Sequence, residues 1–173
     1  HTCLADYFEK RELDGRKADE LPWQLCQAES WDRLKDCIAD IEIFLRLRTE
    51  TRQYALMGYW LSIGDRFDMV AAYNTMIDNY EITSPTEEEL AYRLNEVAYF
   101  LDINARFKGA EPLYRRALTI YEKVLGAEHP NTAQSLNNLA FLLDIKGDYE
   151  GAEPLYRRAL TINEKVLGAE HPN

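Results

Sequence analysis

GAEPLYRRALTIYEKVLGAEHPN, running from Gly109 to Asn131, returns 42 residues later as GAEPLYRRALTINEKVLGAEHPN, from Gly151 to Asn173. Of the 23 aligned positions only one differs, Tyr121 against Asn163. Composition alone does not produce such a match, so one structural unit has been copied. The copy extends upstream in weaker form. RLNEVAYFLDINARFK (Arg93 to Lys108) aligns with SLNNLAFLLDIKGDYE (Ser135 to Glu150), preserving Leu94/Leu136, Asn95/Asn137, Ala98/Ala140, Leu101/Leu143, Asp102/Asp144 and Phe107/Tyr149.

Apolar spacing says what the unit is. Leu136, Leu139, Ala140 and Leu143 recur at three- and four-residue intervals, the stripe of an amphipathic helix. After the break at Lys146-Gly147-Asp148 the pattern resumes with Ala152, Leu155, Tyr156, Ala159, Leu160, Ile162 and Val166. Two helices of roughly 14–18 residues and two short connections fill the period, so each unit is predicted to be an antiparallel helical hairpin. Ala140, Ala152 and Ala159 mark places where two helices can approach closely. Gly126 suits a left-handed cap, and His129 is held extended by Pro130. Asn131 with Gln134 reads as an N-cap and its capping-box partner, and Ser84-Pro85-Thr86-Glu87 as an N-cap, a first-turn proline and a capping glutamate. Pro112 and Pro154 fall inside the second helix, which must therefore start late, near Gly109 and Gly151, or bend.

Residues 1–82 do not carry the period clearly but still read as helical. Trp23, Leu25, Cys26 and Ala28 form one apolar stripe, and Trp31, Leu34, Ile38, Ile41, Phe44 and Leu45 a second. Between them Ala28-Glu29-Ser30 is a predicted turn, with Ser30 as a cap and Arg33 able to pair with nearby acids. Asp14-Gly15 marks a loop after a first short helix. Gln53 to Ile63 and Phe67 to Tyr80, parted by Gly64-Asp65, read as a degenerate repeat-like hairpin.

The repeated residues resemble the tetratricopeptide repeat. Leu136, Leu139, Ala140, Leu143, Ala152, Tyr156 and Ala159 fall at its signature spacing, as do Leu94, Val97, Ala98, Leu101, Ala110, Tyr114 and Ala117. The usual unit is 34 residues. A 42-residue unit ending in EKVLGAEHPN, with LNNLA in its first helix, is similar to the kinesin light chain and nephrocystin-like subclass. The resemblance covers roughly Thr83 to Asn173 and implies an all-α, right-handed superhelical array of antiparallel helical hairpins. The domains expected are an irregular helical connector over 1–82 and two repeat units over 83–173. The stretch LADYFEKRELDGRKADELPWQLCQAESWDRL resembles the helical connector that follows the nucleotide-binding module in nephrocystin-like and bacterial signalling ATPases. A terminal repeat ordinarily carries a polar cap, whereas the last segment is a near-copy of an internal one, so further repeats are expected to follow.

The chain of 173 residues carries a formal net charge of -10, from 30 acidic and 20 basic side chains. That balance argues against nucleic-acid binding, which rests on Lys and Arg neutralising phosphates. No run approaches the roughly 18 apolar residues of a membrane span, and no signal peptide opens the sequence. Three cysteines (Cys3, Cys26, Cys37) lie in the first 37 residues; so sparse a set fits a reducing compartment, and the expected location is the cytoplasm. No phosphate loop, HExxH, GxSxG or CxxC motif is present, so no enzyme activity, metal or cofactor is expected. His129 and His171 beside Glu128 and Glu170 read as turn residues rather than ligands. Glu87-Glu88-Glu89 complements a helix dipole. The pairs Glu111/Arg115 and Glu153/Arg157 decorate a solvated face.

In tetratricopeptide arrays the first helix of each hairpin lines the concave surface where extended peptides lie. The resemblance therefore assigns groove positions to Tyr92, Asn95, Glu96, Tyr99, Asp102 and Ile103 in one unit, and to Gln134, Asn137, Asn138, Phe141, Asp144 and Ile145 in the next. An asparagine amide both donates and accepts, so it holds a peptide backbone without reading side chains. Asn138 matches the family's peptide-holding asparagine, and its counterpart Glu96 departs from it. Interhelical bonding within the array is the competing role for Asn137 and Asn138. With Glu96, Asp102 and Asp144 nearby, the expected partner is a protein or peptide bearing Lys or Arg. The alternative is a sensor or regulatory arm of a larger signalling NTPase; a third reading is an assembly element that self-associates through its uncovered C-terminal repeat face.

Overall fold

The computed structural model describes residues 1–49 and 52–170, and all regular structure among them is helical. The chain falls into two compact units, His1–Thr83 and Ser84–Asn173. The expected positions His171, Pro172 and Asn173 lie outside the described residues.

The first unit holds α1 (Thr2–Glu9), α2 (Gly15–Gln27), α3 (Trp31–Ile38), α4 (Ile41–Leu47), α5 (Gln53–Ile63) and α6 (Met69–Ile82), with a short 3₁₀ turn at Gly64–Arg66. Leu25, Leu34, Ile38, Phe44, Leu56, Ile63 and Tyr73 fill its core. Trp60 Nε1 donates to the buried Tyr73 hydroxyl at 2.9 Å, and that hydroxyl donates to the Ile38 carbonyl at 3.4 Å. The second apolar stripe is not one helix. Asp40 interrupts it, its carboxylate accepting from the Glu42 and Ile43 amides and so opening α4. Ser30 makes no side-chain cap; Glu29, with φ of 52°, turns the chain instead. Arg33 pairs with Asp6 and Glu9 at 2.6 and 2.9 Å. Cys37 is a core residue, its thiol pushed up to about 12 by burial.

The second unit is two hairpins: α7 (Glu87–Ile103) with α8 (Phe107–Val124), and α9 (Pro130–Ile145) with α10 (Tyr149–Glu170). Each hairpin pairs closely, α8 packs on α9, and α7 touches α9, so equivalent helices lie side by side. Small residues sit where backbones meet: Ala98, Ala117, Ala140 and Ala159 are fully buried. Leu94, Leu101, Leu136 and Leu142 surround them.

In the second unit, helix starts differ from the sequence expectation in three places. Thr86, not Ser84, is the N-cap of α7, and Glu89 completes its capping box; Ser84 sits at φ of 57° outside the helix. The N-cap of α9 is His129, whose ring nitrogen accepts from the Asn131 amide at 3.1 Å with Pro130 in the first turn. Asn131 is thus already helical. The second helices start early rather than late: Pro112 is the sixth residue of α8 and Pro154 the sixth of α10. Only one helical carbonyl per proline loses its partner there.

Candidate functional site

The helix period sets the site. Tyr92, Glu96, Tyr99 and Ile103 are spaced i, i+4, i+7, i+11 along α7, and Gln134, Asn138, Phe141 and Ile145 repeat that spacing on α9. Tyr92, Tyr99, Ile103, Phe141 and Ile145 all stand exposed, Phe141 at 53%. Large apolar side chains left in water along two adjacent helices form a patch of the kind that marks an interaction surface.

Between the stripes lies a hollow of about 510 Å³. Tyr99, Asp102 and Ile103 reach it from α7, and Asn137, Asn138, Phe141 and Ile145 from α9. Tyr114 of α8 and Tyr156 of α10 also line it. From the sequence those two tyrosines read only as hairpin core, and their recurrence at the same place in both copies is the available signal. Tyr92, Asn95, Glu96, Gln134 and Asp144 do not line the hollow. Tyr92 lies under the Arg93 guanidinium, 5.3 Å from its ring centroid.

Asn95 and its copy Asn137 have diverged in role. Asn95 is only 9% exposed. Its Oδ1 accepts from Ser135 Oγ at 3.3 Å, and its side chain is hydrogen-bonded to the Tyr121 phenol, so it ties α7 to α8 and α9. It is a brace between repeats, not a groove lining. Asn138 Oδ1 accepts from Gln134 Nε2 at 2.8 Å along the helix, and both Asn137 and Asn138 remain half-buried at the hollow.

Electrostatically the hollow is acidic. Asp102 is 7% exposed, and burial raises its carboxyl above the usual range. Burial, with a smaller contribution from Asp144, raises the Tyr156 phenol. Several basic residues of the unit are engaged elsewhere. Arg158 pairs with Glu122 at 2.7 Å, Lys123 with Glu87, Lys165 with Glu128, and Lys146 with Glu111. Lys146 and then Arg115 hold the Glu111 carboxyl low. No group of three His, Cys, Asp or Glu suited to a metal occurs among the described residues, and no described helix is long and apolar enough to cross a membrane.

Residues 90–165 match the tetratricopeptide repeat family. Human nephrocystin-3 is 34% identical over 76% of this chain and 10% of its own length. A TPR repeat-containing protein of Dictyostelium discoideum is 29% identical over 70% of this chain and 8% of its own. The chain thus spans a tenth or less of the curated relatives it matches. Among solved structures, kinesin light chain nearly identical TPR-like repeats of Podosopora anserina superpose with a TM-score of 0.55, covering 95% of this chain and 84% of that one at 18% identity. At that identity the likeness concerns the fold.

Proposed function

Because the chain belongs to the tetratricopeptide repeat family over residues 90–165, whose members are generally protein-interaction modules, we propose that the α7/α9 face holds an extended peptide carrying Lys or Arg. One observation carries this reading: two parallel stripes of exposed aromatic and aliphatic side chains flank a hollow that contains a carboxylate and two amides. Apolar ligand side chains would bury against Tyr99 and Phe141, removing water-exposed hydrocarbon at about 25 cal/mol per Å². Asn137 and Asn138 would bond the ligand backbone through amides that both donate and accept. Glu96, Asp102 and Asp144 add negative charge along the path, which favours a basic segment and speeds its encounter.

The test is fluorescence polarisation with length-matched basic, neutral and acidic peptides from a displayed random library selected on the whole chain. Basic peptides should bind, Tyr99→Ala and Asn138→Ala should weaken them, and added salt should weaken them further. Equal affinity for basic and acidic peptides, or indifference to both substitutions, would defeat the reading.

A further inference from the structure

Asp102 is the anomaly of the groove. It is more than nine-tenths buried, yet its carboxylate makes no hydrogen bond or ion pair among the described residues. Its oxygens are not sealed from water but open into the hollow, while burial of the residue disfavours the charged form, so a bound cation would serve it better than thin hydration. Its copy Asp144 is exposed and solvated, so the same residue type carries no such penalty one unit later. The second hairpin is what closes Asp102 in. Tyr99, Phe141 and Tyr156 line the same hollow, with Ile103 and Ile145 alongside.

We propose that this hollow is a socket for one arginine side chain of the bound peptide, with Asp102 as its counter-charge. The inference rests on the peptide-groove reading and specifies what the groove selects. A guanidinium is planar, stacks on aromatic rings and meets a carboxylate with two parallel hydrogen bonds. It is also less strongly hydrated than an ammonium, so it gives up less on entering a half-open hollow lined by aromatic and aliphatic side chains. Tyr99, Phe141 and Tyr156 supply the ring faces. Ile103 and Ile145 suit the aliphatic stem. Lysine would fill the socket less well, because its compact ammonium pays more to be dehydrated and cannot bond in the same forked way. Since Asp144 stands in water, the described residues hold one such socket and not two.

The probe is N-acetyl-arginine amide, titrated into the whole chain at constant ionic strength and followed by NMR, against the citrulline analogue, which has the same shape without the charge. Saturable shifts at the Asn137 and Asn138 side-chain amides and the Tyr156 ring are expected with arginine. Citrulline should bind about tenfold more weakly or worse, as loss of a charged hydrogen-bond pair implies. Asp102→Asn should erase the difference while thermal melting shows an intact fold, and Asp144→Asn should leave it. Equal response to arginine and citrulline, or a preference that survives Asp102→Asn, overturns the socket. A parallel selection of displayed peptides separates the two levels. Enriched groove peptides with no arginine, displaced by Tyr99→Ala, sink the socket and spare the groove; no enriched peptide sensitive to Tyr99→Ala sinks both.

Discussion

Leu118 and Leu160 occupy the same place in the same copied block, yet Leu118 on α8 is 9% exposed and Leu160 on α10 is 59% exposed. Tyr114 is fully buried while its copy Tyr156 is half-buried, and Leu113 and Leu155 differ likewise. The neighbourhood makes the difference: α8 packs against α9, whereas no described helix covers the equivalent side of α10. A repeat therefore specifies a face, and the next unit decides whether that face is core or surface. This is how stability in a linear array comes to be shared between units and their interfaces.

The comparison breaks most visibly at those two leucines. Leu118→Ala should cost about 2–4 kcal/mol, the usual loss for a buried leucine and the cavity it leaves. Leu160→Ala should change stability by no more than about 0.5 kcal/mol. Urea unfolding of both variants checks this. Equal losses would mean that the α8–α9 seam is not where the second unit draws its stability.

A smaller effect sits at the turn inside each hairpin. The second copy has Lys146-Gly147-Asp148, with Gly147 at φ of 82° and Asp148 Oδ1 accepting from the Gly151 amide at 3.0 Å. The first copy has Asn104-Ala105-Arg106 there: Ala105 takes φ of 57°, and Arg106 caps nothing through its side chain. An alanine in the left-handed region is strained, and a helix start without a cap leaves amides unmet. Installing Ala105→Gly with Arg106→Asp should raise stability by about 1–2 kcal/mol, read as a higher urea midpoint with an unchanged slope. Gly147→Ala with Asp148→Arg should do the reverse.

The same turns show how much was legible in the sequence. Period and apolar spacing gave the hairpins, because a copied 42-residue block with leucines at helical intervals has few other ways to bury them. The start of each helix was read less well. Capping depends on local backbone geometry, and Thr86 and His129 outcompeted Ser84 and Asn131 for amides within two residues of each other. Glycine was an ambiguous stop. Gly126 ends α8, with Thr132 Oγ1 donating to its carbonyl at 2.9 Å, while its copy Gly168 lies within α10. The groove positions are assigned by the resemblance to the tetratricopeptide repeat, not by spacing alone. The burial of Asn95 and Asp102 was not legible, because one unit's sequence does not say how deeply the next unit will cover it.

Asp102 and Asp144 sharpen the comparison electrostatically, with a smaller effect again. Burial raises the Asp102 carboxyl, so its charged form is the one penalised in the fold. That penalty is in full force above the folded pKa and fades as pH falls through it toward the ordinary carboxylate range. Asp102→Asn should therefore raise Tm at neutral pH, and the gain should shrink on acidification. Asp144→Asn, at an exposed site, should do neither. Thermal melts from neutral to mildly acidic pH decide it: a gain that grows with acid would mean that Asp102 is stabilised as the anion.

The smallest expected effect concerns the charges that bridge units. Glu122 on α8 meets Arg158 on α10 at 2.7 Å, one repeat away, with both side chains more than a third exposed or close to it. Its copy Glu164 is exposed and makes no ion pair among the described residues. An exposed pair contributes roughly 0.2–1 kcal/mol and is screened by salt. Glu122→Gln should thus lower the urea midpoint slightly in low salt and hardly at all near 1 M, and Glu164→Gln should leave it unchanged at either. If both behaved alike, the pair would contribute nothing beyond a solvated face. If only Glu122 responded, the cross-repeat bridge would be a register mark. A like charge placed opposite Glu122 by a slipped helix would repel it, whereas only the native stacking brings Arg158 within reach. Its value would then lie in rejecting wrong alignments of near-identical helices, more than in the few tenths of a kcal/mol it adds to the right one.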